Sequence, residues 1–234
     1  LDAEVILTAI VICTNNSGCL PVLLTSITCY VPEYIPVYLS GSGIVLPRHR
    51  TINSENTATN FGDAFNAVCN EAFKEHEDLV VCNDDIVFMP STWQRLMEDV
   101  AFLQQNTEKV GWVAGRSDYA RGVQNVRTRQ EGDRLIGLRW ESEQKIIKTD
   151  IIAPFFGWVS REAWVDFPPL NWYSDDVQCI DMSLKGYKHY VSRSYVHHAG
   201  SQTFGNDFKK CIEEAKPWIE QNRPELAKVW FKTS

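Results

Sequence analysis

Apolar residues come in short runs along this chain, each closed by turn-forming or charged residues. Residues 4–13, EVILTAIVIC, are apolar and β-branched with no helical recurrence, and TNNSG follows, which predicts a buried first strand and its loop. A helix over about 19–29 accommodates Pro21 in its first turn, and IPVYLS, ending at the flexible GSG of 41–43, predicts a short second strand. A polar loop then runs to Asn60. That residue is suited to cap a helix with Asp63 in its first turn and Phe61, Ala64, Phe65, Val68 and Phe73 on roughly one face. The strand DLVVC leads straight into Asn83, Asp84 and Asp85. After FMP, the tetrapeptide STWQ reads as a capping box, with Ser91 as cap and Gln94 reaching back, ahead of an apolar stripe of Trp93, Leu96, Met97, Val100 and Leu103. KVGWVAG at 109–115 is a fourth strand. Strand and helix therefore alternate through the first half, as in a doubly wound parallel sheet.

The pattern changes after residue 115. Arg116, Arg121, Arg127, Arg129, Arg134 and Arg139 stand among short alternating segments, which predicts hairpins on an exposed face. IIAPFFGW at 151–158 predicts a strand ending in a glycine corner, and SREAW a short helix capped by Ser160. Ser174 is placed to cap a helix whose first turn carries Asp175 and Asp176, where the helix dipole favours acids. YKHYVSRSYVHHAG returns as extended chain, and the tail from about 205 is helical, broken near Pro217 and Pro224. No internal repeat or low-complexity segment interrupts this order. The fold class is α/β: a doubly wound, mixed but mainly parallel sheet flanked by helices, in one domain over 1–204 with a helical tail at 205–234.

Composition narrows the function classes. The net charge of −7, from 30 acids against 23 bases, argues against a surface built for non-specific attraction to nucleic acid or anionic lipid, though it leaves room for a local basic patch. Seven cysteines, at 13, 19, 29, 69, 82, 179 and 211, lack the paired short spacings of a zinc site and fall partly in apolar runs, so they read as mostly buried, reduced thiols. The longest apolar stretches are too short and interrupted to span a bilayer, and no basic segment precedes the first. The expectation is a cytoplasmic protein without a membrane anchor of its own.

Three polar clusters could carry chemistry: Asn83, Asp84 and Asp85; Asp175 and Asp176; His197 and His198. An apolar strand ending in acids delivers negative charge to the carboxyl edge of the sheet, where open α/β sheets bind ligands and where Mg²⁺ or Mn²⁺ takes one or two carboxylates plus substrate phosphates. A second carboxylate pair can supply a general base. Each cluster also has a plain structural explanation: a solvated turn for the first, first-turn helix acids for the second, a satisfied structural histidine for the third. Alternation along a strand lets at most one of His197 and His198 face a site.

The order of the motifs resembles the glycosyltransferases of the GT-A fold, in particular the inverting family 2 type, from residue 8 to about 203. AIVICTNN resembles that family's opening strand and base-contacting turn, NFGDAFNAVCNEAF its helix under the donor, and LVVCNDDIVFMPSTWQRLM its DXD metal motif with Asn in the first position. APFFGWVSREAW is similar to the acceptor-side stretch, WYSDDVQCIDMSLKGYK to the element bearing the catalytic acid, and VHHAGSQT to the closing His-x-x-Gly-Ser. The resemblance implies a metal-dependent transfer, hexosyl in type, from a nucleotide-diphosphate sugar, with a UDP-sugar as the leading donor, to an acceptor hydroxyl with inversion. It implies a nucleotide-sugar half over 1–115 and an acceptor and catalytic half over 116–204. It assigns Thr14, Asn16, Ser40, Asn60, Gly62, Asn66, Asn83 and Asp84 to the donor and Gly157 and Trp158 to the acceptor. It assigns Asp85 and His197 to Mn²⁺ or Mg²⁺, and Asp175 or Asp176 to the role of base. Counting back from Gly186 without a gap selects Asp175, whereas matching the acidic pair selects Asp176. Ser40 stands where the family usually has the Asp that reads the nucleotide base.

Two other readings compete. A sugar nucleotidyltransferase would need a glycine-rich, basic loop after the first strand, and CTNNSGCLPV has one glycine and no base. A non-catalytic nucleotide-sugar or glycan binding module of the same fold would hold ligand and release no nucleotide. The acceptor can be a glycan or a small molecule. The arginines of 116–150 point to a polyanionic acceptor such as modified nucleic acid, or else to a solvated hairpin paired with Asp118, Glu131 and Asp133.

Overall fold

The computed structural model describes residues 8–14, 18–41, 43–55, 57–126, 129–131, 134–136, 145–199 and 208–231. Its centre is a nine-stranded mixed sheet. β1 (Thr8–Cys13), β2 (Val37–Ser40), β3 (Thr51–Ser54) and β4 (Asp78–Asn83) run parallel, in the order β3-β2-β1-β4. β10 (Phe156–Ser160) lies antiparallel between β4 and β6 (Val110–Ser117). β11 (Lys188–His198) continues parallel to β6 and is flanked antiparallel by β5 (Ile86–Phe88) and β9 (Ile147–Thr149). β7 (Arg129–Glu131) and β8 (Arg134–Ile136) form a separate hairpin, within the segment that alternation marked for one.

Period-two alternation sorts the strand residues into two cores. Ile10 and Ile12 of β1 face one side with Val80, Val113 and Trp158, covered by α1 (Leu20–Tyr30) and α3 (Thr92–Asn106). Ala9 and Val11 face the other with Val81, Trp112 and Val159, covered by α2 (Phe61–Ala72) and α4 (Ser174–Leu184). A third, smaller cluster joins Leu170 to Ala215 and Ile219 of α5 (Phe208–Asn222), with α6 (Pro224–Trp230) packed against it. All seven cysteines are free thiols, four of them buried. Among the described residues no helix is long and apolar enough to cross a membrane.

Several local expectations are corrected. Ser91 makes no cap bond; the Met89 N–H instead donates to Thr92 Oγ1 at 2.8 Å. Ser174 is already inside α4, where its hydroxyl donates to the Pro168 carbonyl at 2.9 Å, and Tyr173 takes the cap position. Ser160 Oγ accepts from Ala163 N and closes a turn rather than a helix. Gly157 sits inside β10 rather than at a corner, and Pro217 lies within α5 without ending it. β3 and β5, of four and three residues, fall in stretches that had no strand expected.

Candidate active site

Parallel pairing of β2, β1 and β4 sets Ser40, Cys13 and Asn83 side by side at the carboxyl edge of the sheet. Thr14, one residue further on, donates its hydroxyl to Asp84 Oδ2 at 2.7 Å and so ties the end of β1 to the turn after β4. Ser40 is buried there against Cys13, whose thiol burial pushes up to about 12. Asp84 and Asp85 form the tight turn between β4 and β5, and both are buried. Asn16 lies outside the described residues.

The antiparallel register of β11 on β5 pairs His197 with Val87 and His198 with Ile86, and the Ala199 N–H donates to the Asp85 carbonyl at 2.9 Å. This fixes which histidine meets the acids. His198, not His197, stands against Asp85, with Nε2 3.1 Å from Oδ1. His197 takes the opposite face, is half exposed and pairs through Nδ1 with Asp118 at 2.8 Å. The His198 backbone N–H also meets Asp118, at 3.2 Å. Burial alone would raise the Asp118 carboxyl, but that N–H and the neighbouring His197 bring it below the usual carboxylate range.

The His198 ring is held on three sides. Nδ1 donates to the Tyr119 carbonyl at 2.7 Å, Phe155 stacks on one face at 4.8 Å and 18°, and the Tyr119 ring meets it edge-on. In the neutral ring that carries its proton on Nδ1, Nε2 turns a lone pair toward Asp85 Oδ1, a buried oxygen that accepts no hydrogen bond. Two facing acceptors repel unless a proton or a metal ion lies between them. Their 3.1 Å spacing matches adjacent ligands around an octahedral ion with bonds of about 2.1 Å. The pair therefore fits Mn²⁺ or Mg²⁺ completed by phosphate and water oxygens. Among the described residues no third His, Cys, Asp or Glu side chain joins the pair to make a full protein cage.

Across the cavity, Tyr173 has a left-handed backbone, φ 65°, and starts α4, so that Asp175 and Asp176 occupy its first turn. Arg121 bridges them: Nη2 reaches Asp175 Oδ2 at 2.9 Å and Nη1 reaches Asp176 Oδ2 at 3.0 Å. A further bond runs from Nη2 to the Ile152 carbonyl. Burial pushes the Asp175 carboxyl up to about 7, with the Arg121 cation opposing the shift and Asp176 adding to it. Asn83, His198, Asp175 and Asp176 line one cavity of ≈ 430 Å³, whose apolar wall includes Phe155, Trp172 and Tyr173.

Other residues singled out from the sequence serve the scaffold. Asn60 caps α2, accepting from Asp63 N at 2.8 Å. Gly62 packs so closely that an added Cβ would lie 1.9 Å from the Pro168 carbonyl oxygen. Asn66 exchanges two 2.8 Å bonds with the Phe167 backbone. Gly157 lies mid-sheet, where an added Cβ would approach Ala114 Cα at 3.2 Å. Trp158 is 1% exposed, with its ring in the core beneath α1 and α3, so it offers no face to an acceptor. Arg116 is fully buried and donates to the Ser192 and Lys145 carbonyls. Two of the six arginines of 116–150 thus act internally, and the side chains of Arg127, Arg129, Arg134 and Arg139 lie outside the described residues. Arg121, Tyr119, Phe155 and Tyr173 had no assigned role in the sequence. Only the cluster of arginines hinted at the first.

No protein-family model matches the chain, and no curated protein matches it by sequence. Solved structures do. S. aureus TarS 1-349 superposes with a TM-score of 0.54 at 13% identity, over 91% of this chain and 65% of that one. The same fragment in complex with UDP-GlcNAc gives 0.54 at 13% identity, over 81% and 57%. GalNAc-T7 with UDP, GalNAc and Mn²⁺ gives 0.62 at 13% identity, over 99% and 53%. The chain therefore spans less than two thirds of each of these neighbours. With its mixed sheet, its acidic turn after β4 and its flanking helices in place, the chain has the GT-A glycosyltransferase fold.

Proposed function

We propose that this protein transfers a sugar from a nucleotide-diphosphate sugar, a UDP-sugar in the first instance, to an acceptor hydroxyl with inversion and with the help of a divalent ion. The observation that carries this reading is the shared cavity, in which His198, beside the orphaned Asp85 oxygen, faces the bridged Asp175–Asp176 pair. The donor diphosphate lies along Asn83, Asp84 and Asp85. Mn²⁺ or Mg²⁺ held by Asp85 and His198 would neutralise charge growing on the leaving diphosphate. The acidic pair receives the acceptor proton as the acceptor oxygen bonds to the anomeric carbon and the bond to the diphosphate breaks. Phe155, Trp172 and Tyr173 offer the apolar surface that Trp158 cannot, against which sugar rings rest. The complexes of two neighbours, TarS with UDP-GlcNAc and GalNAc-T7 with UDP, GalNAc and Mn²⁺, support this choice of donor and ion.

The direct experiment incubates the protein with a panel of UDP-, GDP- and dTDP-sugars and follows nucleotide release with Mn²⁺ or with chelator. Release from one donor class that chelator abolishes is the expected result. Neither release nor binding of any donor would overturn the reading.

Arg121 sets the working range of the base. A cation beside two carboxylates favours their charged form, so its removal raises the pair's apparent pKa, and a base works only above its pKa. Arg121→Met should move the acid limb of the pH–rate profile up by about one unit, from near 7 in the parent. An unmoved limb would separate the pair from the proton transfer.

A further inference from the structure

The C-terminal helices pack against residues that line the cavity, Trp172 and Tyr173. Tyr173, whose ring lines the cavity, is the only non-glycine with positive φ among the described residues, a conformation uncommon for a bulky side chain and one that requires external support. The support comes from the tail. Trp230 stacks on the Tyr173 ring at 4.9 Å and 17°, and Phe231 meets it edge-on at 5.7 Å. Two further contacts anchor the tail. Arg223 Nη1 bonds Asp181 Oδ1 in α4 at 2.7 Å, and Ala215 and Ile219 bury themselves against Leu170. The Tyr173 turn is thus gripped from outside by the tail, while its next residues but one and two are the acidic pair.

We propose that the tail is a working part of the site, with Trp230 a positioning residue that, through its stack on Tyr173, sets the acidic pair against the acceptor. This rests on the function proposed above, and it makes the wall of the acceptor side the property of two chain segments more than fifty residues apart. A tail that merely covered the core would act on stability alone. One that fixes Tyr173 acts on turnover and leaves the nucleotide site, at the ends of β1, β2 and β4, untouched.

The test uses the full chain, with Trp230→Ala, Trp230→Phe, Tyr173→Gly and the Trp230→Ala/Tyr173→Gly pair. Turnover is read as nucleotide release from the UDP-sugar that the parent protein consumes, and donor-site integrity as calorimetric affinity for UDP with Mn²⁺. Trp230→Ala should slow turnover about tenfold with UDP affinity changed by less than about twofold, and Trp230→Phe should recover to within about threefold of the parent. Parent-level turnover in Trp230→Ala, equal losses in the Ala and Phe variants, or turnover and UDP affinity lost together would overturn the proposal. Trp230→Ala should also lower the melting temperature by about 4 °C in the parent but by less than about 1 °C in Tyr173→Gly, where the stack is already gone. Equal shifts in both backgrounds would overturn it as well. A parent that consumes no nucleotide sugar would remove the functional reading alone, and the thermal cycle would still decide whether the clamp exists.

Discussion

Replacing Asp85 by Asn should reduce ion-dependent nucleotide release by at least about 10²-fold, roughly 3 kcal/mol of transition-state stabilisation, with the fold unchanged. Asp85 is buried, its Oδ1 accepts no hydrogen bond, and the His198 imidazole nitrogen lies 3.1 Å away. An amide of the same shape keeps the packing but loses the charge, and its NH₂ can satisfy the imidazole lone pair directly, closing the gap that an ion would fill. The two histidines differ in the same way. His198→Ala should match the Asp85 loss, whereas His197→Ala should stay within about threefold of the parent, because its half-exposed ring contributes an exposed ion pair. Turnover measured across a Mn²⁺ titration, beside circular dichroism of each variant, makes the comparison. A fully active Asp85→Asn protein would sink the scheme.

The largest stability effect is expected far from the chemistry, at Asp99. This fully buried carboxylate on α3 accepts from Ser192 Oγ at 2.8 Å, from the Arg193 backbone N–H at 2.7 Å and from Arg193 Nε at 2.8 Å. It joins α3 to the middle of β11, the strand that delivers His198. Asp99→Ala strands the serine hydroxyl and the backbone N–H without an acceptor, at a cost of about 3 kcal/mol. The figure sits low in the range for a broken buried pair because the Arg193 side chain is 39% exposed and can turn to water. Urea denaturation of Asp99→Ala and Asp99→Asn should show the larger drop in midpoint for alanine, since the amide keeps one acceptor oxygen. Equal midpoints in all three proteins would remove the network's structural role.

The architecture was readable wherever strands are fully buried. β1, β4 and β6 are unbroken apolar runs because helices cover both faces of the sheet, and the acids after β4 follow from where that run stops. The errors have local causes. β3, read TINS, has the composition of a loop and is a strand only because β2 offers it an edge. The serines at 91 and 174 have the chemistry of caps, but Ser91 stands at the cap position without a side-chain bond and Tyr173 takes the cap position ahead of Ser174. Alternation allowed at most one of two adjacent histidines to face the acids, yet β11 changes register twice along β6, so counting along the strand could not choose between them. Arg121 lies 54 residues from Asp175 in the chain, and no spacing rule connects a loop cation to a distant helix start. Trp158 carried the aromatic signal expected of an acceptor wall, but its strand position turns it inward.

One strand governs the order in which this sheet can be completed. Among the described residues β6 is not paired with β4: its partner strands are β10 and β11, which come 39 and more residues later. Trp112, buried completely in β6, therefore has no strand on its β4-facing side until Phe156–Ser160 has been inserted, antiparallel, between the β4 block and the β6–β11 pair. That closure joins residues distant along the chain and has to pay the loop entropy before it gains any contacts, which makes it the slow event expected in refolding. Until it happens, β4 and β6 each present a free edge, the parts of the sheet most exposed to association between copies.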